Sequence, residues 1–381
     1  MTVVQDNTDL TPFDSVTQSL TFADESQNAW WHKTGTMLAR VLTSAKSYSR
    51  EEQLKYLRFH GQLLVPRLGP YPRSFSSSIT RSGLPLEFSI NYQQHGRRPV
   101  VRIGFEPLSV LSGTDKDPFN RGPAAELIEA MSAMQMPEFD TQLWYPAVKD
   151  HTLNDAEQAL VEQSNVEGGY IKSQIAFGFD LIGDGNLSIK GYTFPALKCK
   201  ETGKPMAQLM ADTVENMKHL VDCSKAFSMV HAYMATTYDD RSFFSWDFAS
   251  PTKSRLKIYA GSNSVTLEKM VEVWTLGGRM TGPTVTKGLE YLNQLFNLIS
   301  LEEGERAVEV AFDDSTTSSK ATPLVWNYEM RGNDPNPLTK IYFPVHGEND
   351  MQVITGVARF FTAIGMKELG DSYVDTVKGY L

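Results

Sequence analysis

Pairs of short segments alternating with a period of two follow helical segments again and again along this 381-residue chain. That recurrence constrains the fold more than any other feature. Residues 85–92 (PLEFSINY) set Glu87, Ser89 and Asn91 on one face and Leu86, Phe88, Ile90 and Tyr92 on the other. Gln93 to Pro99 supplies a turn and Val100 to Phe105 a second strand, which predicts a β-hairpin. Before it, Trp30, Met37, Leu38, Val41 and Leu42 recur at helical spacing from Ala29. A second helix runs from about Arg50 to Leu64, stopped by Pro66 and the Gly69-Pro70-Tyr71-Pro72 cluster. The same order returns: a helix at 123–135 before strands at 171–181 and 187–194, then helices at 207–221 and 224–236 before strands at 243–248 and 254–260. A helix at 285–300 precedes strands at 306–312 and 324–330, with one more at 339–345. Hairpins imply an antiparallel sheet with helices on one face, hence an α+β fold. Repeated α-α-β-β units favour closure into a β-barrel with an outer ring of helices, because closure removes exposed edges.

The strands carry unusual residues on one face. In Lys190-Gly191-Tyr192 and Lys340-Ile341-Tyr342 a cation and a phenol lie two residues apart, and Arg255-Leu256-Lys257-Ile258-Tyr259 puts three such groups on one side. Arg102 faces away from Ile103. If Ile103, Leu256, Ile258 and Ile341 pack under helices, then Arg102, Lys190, Arg255, Lys257 and Lys340 point inward with Tyr192, Tyr259 and Tyr342. A lumen so lined is a poor core and a good anion site. A solvated outer face is the alternative, but it gives no reason for a tyrosine two residues after each lysine.

Composition removes several classes. With 36 Lys and Arg against 45 Asp and Glu the formal charge is −9, so neither nucleic acid nor an anionic membrane is an expected partner. Two cysteines, Cys199 and Cys223, exclude a disulfide scaffold and lack zinc-site spacing. No apolar run approaches the ~20 residues of a membrane helix. MTVVQDNTDL has neither a basic nor an apolar leader region, so a cytoplasmic protein without a signal peptide is expected. Asp239-Asp240 and Asp313-Asp314 lack the neighbouring carboxylates that hold magnesium pairs, and no metal site is expected. Gly183-Asp184-Gly185 lacks the third glycine of a dinucleotide fingerprint and reads as a hairpin turn. Residues 1–28 are expected to be a loose segment and 29–381 a single domain.

The hairpin PLEFSINYQ…VRIGFEPL, the strands KGYTFPALK, RLKIY and KIYFPVHGEND, and the helix VEVWTLGGR resemble the fungal indole prenyltransferases of the dimethylallyltryptophan synthase family. The likeness is closest to members acting on tryptophan-containing cyclic dipeptides in alkaloid pathways, and it runs from about Trp30 to the last residue. It implies the α-β-β-α (ABBA) barrel, dimethylallyl diphosphate as co-substrate, an indole acceptor and no cofactor or obligatory metal. Glu87 is then the acceptor for the indole N–H. Arg102, Lys190, Arg255, Lys257 and Lys340 neutralise the diphosphate, and Tyr192, Tyr259 and Tyr342 shield the allylic cation. A homodimer is an allowed assembly. The alternatives are transfer to free tryptophan or another indole, and a non-catalytic paralogue binding a hydrophobic ligand.

Two departures from the family pattern carry expectations. Ala176 stands where members prenylating free tryptophan place a lysine, four residues before Asp180. Those members also place an arginine for the amino-acid carboxylate near Ser242, where Arg241 is out of register by one. Both suit an acceptor without a free carboxylate, such as a diketopiperazine. After Asn349 a helix with Val353, Ile354, Val357, Phe360, Phe361 and Ile364 ends near Gly365, and a second runs to Lys378. The family continues into a final hairpin that closes the barrel, so a C-terminal hairpin is expected to be missing.

Overall fold

In a computed structural model the described residues are 10–163, 172–235, 237–239, 241–306 and 322–380. They fall in two compact units. One comprises residues Met1–Phe139 with Lys172–Gly191, the other Asp140–Ile171 with Tyr192–Leu381.

The first unit opens with a helix, Pro12–Ser19, where a loose segment was expected. Thr11 caps it by accepting from the Asp14 N–H. Val16 is buried, Phe13 stacks on Trp31 at 5.1 Å, and Trp31 Nε1 donates to Thr17 Oγ1 at 2.9 Å. The contact with Trp31 and the buried Val16 dock a helix whose remaining residues are too polar to reveal it. The helix expected from Ala29 begins at Glu25, capped by Asp24, and continues through a wider turn at Trp31–Gly35 into Thr36–Ser44. Arg50–Phe59 starts with a capping box in which Ser49 and Glu52 satisfy each other's backbone N–H. It runs on through His60–Leu64 and stops at the single turn Val65–Arg67.

Four strands follow in this unit: β1 (Leu86–Asn91), β2 (Val100–Phe105), β3 (Ile175–Gly183) and β4 (Asn186–Thr193), whose last two residues belong to the second unit. β1 pairs with β2 and β2 with β3, both antiparallel. Gly183, Asp184 and Gly185 have φ of 106°, 54° and 84°, so the Gly-Asp-Gly sequence is the β3–β4 turn, and glycine removes the penalty at two of three left-handed positions. Glu52 ties that turn to the helices. It accepts from the Asp184 N–H at 2.8 Å and twice from Arg98 at 2.8 Å, and Arg98 above all holds its carboxyl down to about 2.

In the second unit, helices at Trp144–His151, Asp155–Gln163 and Ala196–Thr202 are additions to the expected set. Each is under ten residues, too short for periodicity to show. Met206–Met217, Ser224–Met234 and Pro283–Ile299 lie where helical spacing put them. The strands are β5 (Phe243–Asp247), β6 (Arg255–Ser262), the short pair β7 (Ser264–Val265) and β8 (Gly304–Glu305), β9 (Leu324–Arg331) and β10 (Leu338–Tyr342). Hydrogen bonding runs β5-β6-β9-β10, all antiparallel. The strand expected at 306–312 lies, from 307 on, outside the described residues.

One face of β5, β6 and β9 is almost wholly apolar: Phe244, Trp246, Leu256, Ile258, Trp326 and Met330 are buried, and Tyr328 donates to the Val273 carbonyl of helix Leu267–Trp274 at 2.8 Å. Asp350–Ala363 and Lys367–Lys378 form the terminal helix pair. A Cβ at Gly356 would lie 2.3 Å from the Leu298 carbonyl oxygen, so glycine permits that helix contact. Among the described residues no helix is long and apolar enough to cross a membrane.

Glu106, wholly buried in the first unit, joins three loops. It accepts from Ser77 and, at 2.6 Å, Ser173, and from Asn120 Nδ2 at 2.9 Å. Burial pushes its carboxyl up to about 6 despite these donors. The stability it contributes is therefore complete below its unfolded value near 4.5 and is lost as pH rises through about 6. That loss should be about 2 kcal/mol. Glu106→Gln should flatten the fall in urea midpoint over that interval; an unchanged slope would remove Glu106 as its source.

Candidate functional site

In the first unit the charges gather on one face of β1–β4. Glu87 lies opposite Gly104, and Gly104 opposite Gly178. A Cβ on Gly104 would come within 2.7 Å of Glu87 Cγ, so the Glu87 side chain lies across the strand where the glycine leaves room. Solvent reaches Glu87, yet surrounding protein desolvates its carboxyl enough to raise it above the ordinary glutamate value. The next row pairs Arg102 with Asp180. Asp180 takes Arg102 Nε at 3.2 Å and Lys190 Nζ at 2.6 Å, so one carboxylate holds both cations. Ile103, Phe177, Phe179 and Leu181 are buried on the opposite face.

In the second unit the expected residues also share a face. Tyr259 stacks on Phe243, its cross-strand partner, with ring centroids 4.2 Å apart and planes at 12°. Tyr192 and Tyr342 stand 6.1 and 6.3 Å from Tyr259. Burial first, then the charge and after it the hydrogen bonding of the neighbouring Tyr192 and Tyr342 phenols, raises the Tyr259 phenol well above its ordinary value, so it stays protonated. Asn327, fully buried and opposite Tyr259, donates from Nδ2 to Tyr342 Oη at 2.9 Å.

The cations there are held by carboxylates. Asp247 accepts from Arg255 Nε at 2.5 Å and Nη2 at 2.9 Å, and from Lys257 at 3.1 Å. Glu329 accepts from Arg255 Nη1 at 3.1 Å and Arg331 Nη2 at 2.8 Å, with Lys340 Nζ at 3.8 Å. Lys257, Asp247 and Glu329 are nearly buried, whereas the Lys340 and Arg331 side chains are 50% exposed. β10 follows the expected alternation least closely: Ile341 is only partly buried and Tyr342 is exposed, because among the described residues β10 has a strand partner on one side only.

Sequence reasoning assigned no role to Asp180, Asp247, Glu329, Asn327, Phe243 or Arg331. The signal was present on β9, where Asn327, Glu329 and Arg331 alternate with Trp326, Tyr328 and Met330. It was missed because carboxylates beside an anion site run against first expectation. Arg241 gives Nε and Nη2 to Asp239 Oδ2 and Nη1 to Asn263. Ala176 is buried on β3.

The profile of the tryptophan dimethylallyltransferase family matches residues 26–376, running through both units. The chain is 57% identical over 381 residues to the prenyltransferase okaC of Penicillium ochrochloron, covering all of this chain and 88% of that protein. It is 48% identical over 372 residues to the prenyltransferase malE of Malbranchea aurantiaca, covering 97% of this chain and 83% of that one. The crystal structure of NotF in complex with brevianamide F and DMSPP superposes with a TM-score of 0.87 at 35% identity, covering 97% of this chain and 90% of that one. The chain therefore belongs to the tryptophan dimethylallyltransferase family. It is a prenyltransferase, and its α+β fold is the ABBA prenyltransferase fold that the family resemblance implies.

Asp247 meets both Arg255 and the buried Lys257. Asp247→Ala would remove the carboxylate that the buried Lys257 meets at 3.1 Å, and breaking a buried pair in this way costs about 3–5 kcal/mol. Lys257→Met in the same chain should recover part of that loss in chemical denaturation. Equal stability of wild type and Asp247→Ala would show that the pair contributes nothing.

Proposed function

We propose that this enzyme moves a dimethylallyl group from dimethylallyl diphosphate to the indole of a tryptophan-containing cyclic dipeptide. The observation that carries the reading is the phenol cluster of Tyr192, Tyr259 and Tyr342, with Tyr259 on the same face of β6 as Lys257 and Arg255 while Leu256 and Ile258 are buried on the other. The same alternation supplies groups for an anion and for a carbocation.

In this reading the C–O bond of the allylic diphosphate breaks with both electrons leaving on oxygen. Arg102, Lys190, Arg255, Lys257 and Lys340 stabilise the departing diphosphate by charge-assisted hydrogen bonds. The tyrosine rings present negative π-faces to the allylic cation, and their protonated hydroxyls donate to phosphate oxygens. The indole ring attacks the cation and a C–C bond forms, leaving positive charge on the indole. Glu87 accepts from the indole N–H and stabilises that charge; loss of the proton from the substituted carbon restores the aromatic ring where attachment leaves one there. The cations take the part that magnesium plays in other prenyl transfers.

The acceptor follows from two features of this chain. Ala176 offers no cation to a free carboxylate, and Arg241 is committed to Asp239 and Asn263. A diketopiperazine has no such carboxylate to satisfy. The solved NotF complex, with brevianamide F and DMSPP, supports the same substrate pair.

Glu87→Gln keeps the shape and loses the charge. Turnover should collapse while acceptor binding weakens far less, as expected of an interaction made in the transition state. An acceptor methylated on the indole nitrogen should be a poor substrate. Because the Glu87 carboxyl is raised, wild-type turnover should fall with acid at a pH above the ordinary glutamate value. Wild-type rates in Glu87→Gln would remove Glu87 from the mechanism.

Lys190→Ala and Arg255→Ala should each lose roughly 10- to 100-fold in kcat/KM, the equivalent of one charge-assisted bond, and EDTA should leave the rate unchanged. Abolition by chelator would overturn the metal-free reading. Faster turnover of free tryptophan than of any cyclic dipeptide, scored by mass spectrometry, would overturn the acceptor.

A further inference from the structure

Among the described residues, Arg255 and Lys257 of β6, Arg331 of β9 and Lys340 of β10 meet the carboxylates of Asp247 on β5 and Glu329 on β9. Arg255 and Arg331 are also directly opposite in the β6–β9 register. Like charges in that position destabilise a sheet. Glu329 relieves part of the repulsion by taking Arg255 on Oε2 and Arg331 on Oε1. Arg331 spends only Nη2 on that contact, and its remaining N–H groups have no partner among the described residues.

A role in the sheet accounts for one bond to Glu329. It does not account for a second arginine opposite the first, where a neutral residue would pair without repulsion. A doubled guanidinium row makes sense where an anion is to be gripped, since each guanidinium is a planar fork matched to phosphate oxygens. Exposure is graded along the cluster: Lys257 is buried, Arg255 is a quarter exposed, and Arg331 is half exposed. An anion arriving from solvent would meet Arg331 before the buried lysine.

We propose that Arg331 is a further ligand of the donor's diphosphate, held in place by Glu329. The inference rests on the reading that Arg255 and Lys257 bind that diphosphate. Because Arg331 stands at the end of β9 and is half exposed, its replacement should leave the fold intact.

The probe is inorganic pyrophosphate, titrated calorimetrically into the whole chain, alongside KM for dimethylallyl diphosphate and KM for the indole acceptor. Arg331→Ala should weaken pyrophosphate binding and raise the donor KM about 5- to 20-fold, with the acceptor KM unmoved. Arg331→Lys should recover part of the affinity, since it restores charge without the fork. Arg331→Gln, which can still donate to Glu329, should match Arg331→Ala if charge matters and serves in its place should the alanine variant not fold. If the alanine and glutamine variants bind pyrophosphate as wild type does while Arg255→Ala binds it weakly, Arg331 is no ligand and the parent reading stands. If Arg255→Ala also binds normally, the parent reading falls, and this inference with it.

Discussion

Positive charges crowded on one sheet face repel one another unless something negative stands between them. In the second unit Asp247 stands between Arg255 and Lys257, and Glu329 between Arg255, Arg331 and Lys340; in the first, Asp180 joins Arg102 to Lys190. These carboxylates are as necessary as the cations. They fix long flexible side chains in one arrangement, so less entropy is lost when a polyanion binds.

The opposite faces make that arrangement affordable. Phe244, Trp246, Leu256, Ile258, Trp326 and Met330 present a continuous apolar surface, and the Tyr328 hydroxyl is anchored on a helix carbonyl. Each strand thus divides its residues by parity. Even a one-residue slip of register would exchange cations for tryptophans, and no helix could then pack on the result. The two tasks of the strand, core and site, specify one register together.

Tyr259 shows how the faces meet in chemistry. Its ring lies flat on Phe243 and its hydroxyl is shared with Tyr192 and Tyr342, the last of which also takes a bond from Asn327. Packing fixes the ring planes, and the hydroxyl chain fixes their rotation. Glu87 is set by an absence of bulk instead: the missing Cβ of Gly104 gives its side chain a place across the neighbouring strand.

The sequence by itself determined the period-two hairpins, the long helices, the Gly-Asp-Gly turn and the face shared by each lysine and its tyrosine, because these depend on neighbours within a few residues. It also carried the family, through motifs spread along the chain. Short helices such as Ala196–Thr202 and the docked helix Pro12–Ser19 were beyond it, since their stability comes from what they pack against. The same holds for the site. That Arg102 faces Asp180, that Lys257 faces Glu329 and that Arg255 faces Arg331 are facts of register between strands far apart in sequence, and only the tertiary structure decides them. Charge pairing acts through space over a few ångströms, and no local pattern encodes which distant strand will supply the partner.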